Sequence, residues 1–137
     1  MIDRCENEIL ELHRFFERWF NGDLEDSPEA FSRLSDVLSE RFLMVTPAGQ
    51  RLERRQVLAG VQGRHGVHRD DGSPFRIEIR EVEGRYRDSS VALVTYEEWQ
   101  TVDGEIRGRA SSALFREREE TPCGVEWLHL HETWPGD

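Results

Sequence analysis

The chain has 137 residues, enough for one domain with a single packed core, and its 36% hydrophobic and 34% charged residues exclude a disordered chain. The formal net charge of -10 argues against a nucleic-acid partner, because an acidic excess repels phosphate. From this length we expect a single domain over residues 1–137. No apolar run is long enough for a membrane span or a secretory signal, so we expect the protein to be cytoplasmic and to have no membrane partner. Cys5 and Cys123 are isolated, which fits free thiols, although a disulfide between them stays open.

The chain is predicted to begin with a long amphipathic helix. Apolar residues recur at helical spacing over residues 3–21. Asp3 and Glu6 are expected to form a capping pair at its start, and Gly22 supplies its end.

A second helix is predicted to start at Ser27 and Pro28, an N-cap followed by proline at the first helical position, and to run to about residue 39. The next predicted elements are a strand over residues 41–46, a helix over residues 52–63 and a polar loop over residues 64–74. We expect this loop to be the most mobile segment. Its His65 and His68 fit either a lid with a proton-transfer group or a solvated connection.

The second half of the chain is predicted to be an antiparallel meander. Its strands are expected over residues 75–84, 90–101, 106–117 and 125–134. Asp103 and Gly104 form the strongest short hairpin signal in the chain. Helices followed by a strongly bent antiparallel sheet place the fold in the α+β class.

The hairpin at Asp103-Gly104 predicts which side chains share a face of the sheet. A two-residue turn pairs Val102 with Glu105 and fixes the register of both strands. One face is then apolar at one end and polar at the other, and its members are Ala92, Val94, Ala113, Phe115, Tyr96, Ser111, Glu98, Arg109, Gln100 and Arg107. An apolar floor with a few convergent polar groups is typical of small-molecule sites. The alternative is a cross-strand ion pair between Glu98 and Arg109.

The last strand carries polar and aromatic side chains on both faces. Strict alternation places Trp127, His129, His131 and Thr133 on one face and Leu128, Leu130, Glu132 and Trp134 on the other. The pair His129-x-His131 has the spacing of two metal ligands on one strand face, but no further ligands stand nearby in the sequence. We therefore expect no metal site and assign both histidines to structure or to an interface.

Three segments, together with the order of elements, resemble the NTF2-like superfamily, and especially its SnoaL-like and DUF4440-type domains and the association domain of calcium/calmodulin-dependent kinase II. They are Phe42-x-Met-Val-x-Pro-x-Gly49, Arg109-x-Ser-Ser-x-Leu-Phe115 and Trp127-Leu-His-Leu-His-Glu-Thr133. The resemblance implies a cone-shaped, cystatin-like fold with a strongly curved sheet wrapped around the first helix. It also implies a homodimer formed through the sheet and a ligand cavity at the mouth of the cone.

The resemblance further indicates which residues face the cavity. In the kinase association domain the cavity is lined by arginines, at places that correspond here to Tyr96, Ala113 and Glu132. None of the three is arginine, so carboxylate binding of that type is not implied. The expected ligand-binding residues are Tyr96, Glu98, Arg109, Ser111 and Glu132, with Leu128 and Leu130 beside Glu132 on the cavity side.

Three functions follow as expectations. The first is a binding or sensing module for a small, mostly apolar molecule. The second is an isomerase, dehydratase or cyclase without a cofactor, in which Glu98 or Glu132 acts as acid or base because an apolar cavity raises a carboxyl pKa. Replacing either carboxylate by glutamine would then reduce the rate and retain binding. The third is an oligomerisation scaffold whose cavity is filled by side chains.

Overall fold

A computed structural model describes residues 1–136 and contains three helices and six strands within them. In chain order they are α1 (Ile2–Asn21), α2 (Pro28–Ser35), β1 (Leu38–Val45), β2 (Arg51–Glu53), α3 (Arg54–Gln62), β3 (Arg76–Asp88), β4 (Val91–Val102), β5 (Glu105–Glu117) and β6 (Val125–Thr133). No helix in this part of the chain combines the length and the apolar character that crossing a membrane requires.

Helix α1 buries one face against the sheet. Its buried apolar side chains follow the predicted helical spacing, and they are Cys5, Ile9, Leu12, Phe15 and Trp19. Gly22 ends the helix as predicted, in the left-handed conformation with φ of 77°, and its N–H donates to the carbonyl of Trp19. The predicted Asp3 and Glu6 cap is wrong, because the helix already begins at Ile2 and no side chain caps it.

The second helix starts as predicted and ends earlier. The Ser27 hydroxyl accepts the N–H of Ala30 at 3.2 Å, and Pro28 is the first helical residue. The helix stops at Ser35 rather than near residue 39, because the following residues join the sheet: the Trp127 N–H donates to the Val37 carbonyl at 2.8 Å. Tertiary pairing therefore overrides the local helical pattern there.

Strand β2 and the start of α3 were not separated by the sequence pattern. Residues Arg51–Glu53 pair with β1 instead of forming the first turn of a helix. Helix α3 then begins at Arg54, where the Gln56 side chain accepts the N–H of Glu53 at 2.8 Å.

The six strands form one mixed sheet in the order β2-β1-β6-β5-β4-β3. All pairs are antiparallel except β1 with β6, which is parallel and connects the two halves of the chain. The predicted hairpin register is confirmed along its whole length, from Val102 opposite Glu105 to Ala92 opposite Phe115. On the outer face, which points away from α1, the Trp99 ring lies over Gly108, where a Cβ would come within 2.6 Å of it.

A bulge in β6 changes which residues of the last strand face α1. Leu114 pairs with His129, whereas the next residue, Phe115, pairs with Trp127, so Leu128 is an extra residue without a partner. Trp127 is consequently buried on the inner face at 1% exposure, and Leu130 and Glu132 share this face. The alternation predicted for β6 is wrong at this point, because it placed Leu128 inside and Trp127 outside.

A buried ion pair connects α1, α2 and β6. The carboxylate of Glu8 on α1 is fully buried and accepts from both terminal nitrogens of Arg33 on α2, at 2.8 and 3.3 Å. The Trp127 indole N–H donates to the same carboxylate at 2.9 Å. Burial raises the pKa of Glu8 against the effect of Arg33.

Candidate functional site

A cavity of about 370 Å³ lies between α1, α3 and the inner face of the sheet. Its apolar lining comes from every layer of the fold and includes Leu12, Phe16, Phe42, Val57, Phe75 and Leu130. Its polar lining consists of His13, Gln56, Arg64, His68, Glu98, Gln100, Arg109 and Glu132. The volume lies within the range of about 300 to 1,000 Å³ that is typical of ligand pockets.

Three of the five predicted ligand-binding residues line this cavity, namely Glu98, Arg109 and Glu132. Tyr96 and Ser111 pair across the strands on the same side of the sheet, but they are packed beneath the lining and do not contribute to it. Both are buried, and within residues 1–136 neither hydroxyl has a hydrogen-bond partner. Burial raises the pKa of Tyr96 well above its ordinary value.

Glu98 is held by two donors from different elements. His13 Nε2 on α1 lies 3.1 Å from one carboxylate oxygen, and the Gln100 amide donates to the other at 2.6 Å. His13 Nδ1 lies 2.7 Å from the carbonyl oxygen of Ile9, which accepts only, so Nδ1 carries a hydrogen. A second hydrogen on Nε2 makes the ring an imidazolium that forms an ion pair with the carboxylate.

The pKa shifts of this pair agree with an ion pair. Burial lowers the pKa of His13, but the charge of Glu98 and the hydrogen bond to it outweigh burial, so the net shift is upward. For Glu98, burial raises the pKa and the His13 charge lowers it, and the net shift is downward. The predicted alternative, in which Arg109 neutralises Glu98, is wrong because His13 takes that role.

Arg109 pairs instead with Glu132 on the neighbouring strand β6, with Nη1 and Oε1 3.1 Å apart. Glu132 is 3% exposed, and burial together with the charge of Glu98 raises its pKa to about 7, against the opposing effect of Arg109. The Arg109 guanidinium also lies 5.7 Å from the ring centroid of Trp134. The cavity wall therefore contains one carboxylate that is ionised and one that titrates near neutral pH.

Sequence reasoning missed four polar lining residues, and His13 is the most important of them. The signal for His13 was a polar side chain on the apolar stripe of α1, four residues after Ile9 and three before Phe16. Gln100 lies on the predicted cavity face of β4, two residues after Glu98. Gln56 lies in the first turn of α3 and Arg64 lies two residues after the end of this helix, where periodicity does not indicate a cavity direction.

The long loop after α3 is hydrogen-bonded to the end of α1. The N–H groups of Gly66 and His68 donate to the Trp19 and Phe20 carbonyls at 3.0 and 2.9 Å. His68 lines the cavity, stacks on Phe75 and bonds to Asp71, so one of the two loop histidines does reach the site. The other loop histidine, His65, bonds to the Leu24 carbonyl at 2.6 Å and is absent from the lining.

The histidines of the last strand lie outside the cavity. His129 and His131 have ring centroids 6.3 Å apart, and neither belongs to the cavity lining. Among the described residues, no group of three or more His, Cys, Asp or Glu side chains is arranged to hold a metal ion.

Comparison with known proteins gives the family and the fold. Residues 5–136 match the family model described as sucrose-6-phosphate phosphohydrolase C-terminal. Sucrose-phosphatase 2 of Nicotiana tabacum is 27% identical over 128 residues, which are 93% of this chain and 30% of that protein. The chain therefore spans about a third of the length of the curated relatives it matches.

Solved structures agree on the fold. An NTF-2 like protein of unknown function from Pseudomonas aeruginosa superposes with a TM-score of 0.84 at 26% identity, covering 97% of this chain and 99% of that one. The CaMKII hub of S. rosetta superposes with a TM-score of 0.66 at 11% identity, covering 97% and 95%. The NTF2-like fold is thus confirmed, whereas the matching family is none of the three that the sequence resemblance named within that superfamily. The chain belongs to the sucrose-6-phosphate phosphohydrolase C-terminal family and adopts the NTF2-like, cystatin-like fold.

Proposed function

We propose that this domain is a small-molecule-binding module whose ligand occupies the cavity between α1, α3 and the sheet. The observation that carries the proposal is the combination of about 370 Å³ of open volume, a mainly apolar lining and one cluster of charged groups. Apolar walls supply affinity for most of the ligand, and a few polar groups set its orientation. The activity named for the relatives belongs to proteins of which this chain covers 30%, so we do not extend that activity to this chain and base the proposal on its cavity.

The charged cluster favours a ligand over a filled scaffold. Glu98, Glu132 and His13 are each at most 5% exposed, and burying charged groups destabilises a fold unless each is well paired. A scaffold would need none of them, since apolar side chains of similar volume would fill the same space and stabilise the fold better. A binding site does need them, because polar groups in an apolar pocket discriminate between ligands.

Binding of a neutral apolar probe tests the proposal. Gly60 lines the cavity, and a Cβ at this position meets no atom within 4 Å. We expect the fluorescent probe N-phenylnaphthylamine to bind the unaltered protein and Gly60→Ala, and to lose about tenfold or more in affinity for Gly60→Trp, whose indole occupies the space. Fluorescence titration measures all three affinities, and circular dichroism confirms that the variants are folded. Equal affinity for Gly60→Trp and Gly60→Ala would contradict binding in this cavity.

A cofactor-independent enzyme of the isomerase, dehydratase or cyclase kind is a second candidate. One observation favours it: Glu132 lines the cavity with its pKa raised to about 7, which suits proton transfer near neutral pH. The distinguishing result is conversion of a bound compound that Glu132→Gln abolishes while binding persists.

We also propose that the protein forms a homodimer through the outer face of the sheet. Ile106 on this face is 64% exposed, and Trp99 and Leu114 share the face. Exposed apolar side chains on one sheet face are typical of an interface. Light scattering at micromolar concentration should give the dimer mass, and Ile106→Asp should shift it toward the monomer. Val67→Asp, at a position 45% exposed in the loop after α3, is the matched control and should remain dimeric. A monomeric unaltered protein would rule out the dimer.

A further inference from the structure

Two arginines of the cavity lining, Arg64 and Arg109, have hydrogen-bond donors to spare. Both oxygens of Glu98 are occupied, one by His13 and the other by Gln100. Arg109 carries five N–H donors, and its guanidinium makes one hydrogen bond within residues 1–136, to Glu132. Arg64 has no carboxylate within 4 Å in the same part of the chain and lies 5.8 Å from the Phe20 ring centroid. A ligand that uses these two guanidinium groups must therefore bring acceptors, and preferably negative charge.

An anion that approaches Arg109 competes with Glu132 for the same guanidinium. The Arg109 side chain is 22% exposed and that of Glu132 is 2% exposed, so an incoming group meets the arginine first. Once Arg109 has turned to the ligand, Glu132 would be a buried carboxylate facing both Glu98 and the new anion. Keeping a charge there is unfavourable, and a buried carboxylate in that position binds a proton instead.

On the basis of the proposed binding function, we infer that the ligand is an amphipathic anion, with its apolar body in the cavity and its charged head on Arg109. Glu132 is displaced from Arg109 in the complex and takes up one proton from solvent. The three parts of this exchange are the head group, the guanidinium and the carboxylate, and the net charge of the site is the same before and after it. Arg64, on the exposed part of the lining, adds a second positive charge that attracts the same class of ligand.

The charges around Glu132 give the expected pH dependence its sign. The titratable and charged groups that face Glu132 are Arg109 on β5, Glu98 and Tyr96 on β4, and His13 on α1. Arg64 and His68 line the same cavity. Without ligand, burial and Glu98 hold the pKa of Glu132 at about 7. With an anion on Arg109 the pKa rises further. At pH values between the pKa of Glu132 in the free protein and its pKa in the complex, binding of the anion takes up a proton. The affinity for the anion therefore falls about tenfold for each unit of rising pH in this range. Below the pKa of Glu132 in the free protein, this carboxyl group is already protonated, and the affinity no longer changes with pH.

Three probes with the same eight-carbon chain separate the head groups: octanesulfonate, octanol and octylamine. The sulfonate stays anionic throughout the range tested, so any pH dependence of its binding comes from the protein. Calorimetry at about pH 6 and about pH 8 should show octanesulfonate binding more tightly than octanol, and about tenfold more weakly at the higher pH. Octanol should bind equally at both. Repeating the titration at the higher pH in two buffers of different ionisation enthalpy should show uptake of close to one proton.

Variants identify the two partners. Glu132→Gln should bind octanesulfonate with an affinity that does not change with pH. Arg109→Gln should bind octanesulfonate about tenfold more weakly and octanol unchanged, because only the charged hydrogen bonds are lost. Arg85→Gln is the matched control, since Arg85 is an exposed arginine on the opposite side of the sheet. This variant should bind all three probes like the unaltered protein.

The outcomes separate this inference from the proposed function. If octanol binds and octanesulfonate is no tighter, or is equally tight at both pH values, the anionic ligand is wrong and the binding function stands. If octylamine binds best, the carboxylates are the anchors and the inference is overturned. If none of the probes binds, both the inference and the proposed function fail.

Discussion

Trp127→Ala should lower the free energy of unfolding by about 4 kcal/mol, whereas Leu128→Ala should lower it by only about 1 kcal/mol. Trp127 is 1% exposed, and its ring lies 4.5 Å from that of Phe115 and 6.5 Å from that of His13, between centroids. Removing the indole leaves a large cavity in the middle of the inner face and takes away a donor from the buried Glu8 carboxylate. Leu128 is only half-buried, because the bulge leaves it outside the regular pairing.

Urea denaturation followed by fluorescence measures both values. The comparison tests the bulge directly, since regular alternation along β6 would reverse the order of the two effects. Trp127→Phe adds an intermediate variant, because it retains a six-membered ring in the core and removes the pyrrole ring with the N–H that Glu8 accepts. A loss for Leu128→Ala that equals or exceeds that for Trp127→Ala would contradict the observed register.

Arg33→Met should lower the free energy of unfolding by about 3 to 5 kcal/mol at neutral pH. Arg33 supplies two of the three hydrogen bonds to the fully buried Glu8 carboxylate, and methionine fills similar space without the charge. The loss should shrink in acid. Without Arg33 the folded-state pKa of Glu8 lies further above its unfolded value, so the variant loses stability as pH rises between the two and regains it as pH falls.

The double variant Glu8→Gln with Arg33→Met should be more stable than Arg33→Met alone. The glutamine carbonyl still accepts the indole N–H of Trp127, and no charge remains buried. Arg55→Met serves as the exposed control and should change stability by less than about 0.5 kcal/mol, since the Arg55 side chain is 84% exposed and lies 3.7 Å from Glu53. Equal losses for Arg33→Met and for the double variant would show that the unpaired charge is not the cause.

Elements fixed by local interactions could be predicted from the sequence. The β4–β5 hairpin is correct pair by pair, because the two-residue turn at Asp103-Gly104 sets the register of everything beyond it. Helix α1 is correct because its stripe and its terminal glycine lie within one segment. The start of β1 and the whole of β2 were not predicted, because each depends on pairing with another strand. The start of β1 pairs with β6, which is distant in sequence, and β2 pairs with β1 across the turn that joins them.

The candidate site shows the same limit. The shared face of β4 and β5 follows from the turn, so Glu98 and Arg109 were placed together correctly. Their ionic partners, His13 and Glu132, come from α1 and β6, whose positions against this hairpin depend on tertiary packing. The adjacent placement of Glu98 and Arg109 on paired strands therefore predicted an ion pair between them. In the structure each of the two binds a group that is distant in sequence instead. The bulge at Leu128 was not predictable either, because nothing in the alternation of β6 marks an extra residue.

The parallel pairing of β1 with β6 has a consequence for how the chain folds during synthesis. Val45 pairs with His131, so the contact that completes the sheet spans most of the sequence. Strands β1 and β2 have no place in the sheet until β6 has left the ribosome, and closing so long a loop costs conformational entropy before any pairing compensates it. The β3–β4–β5 meander is free of this requirement, because its pairs are local. We therefore expect the meander to form first, and β1 with its partner β2 to dock onto β6 last.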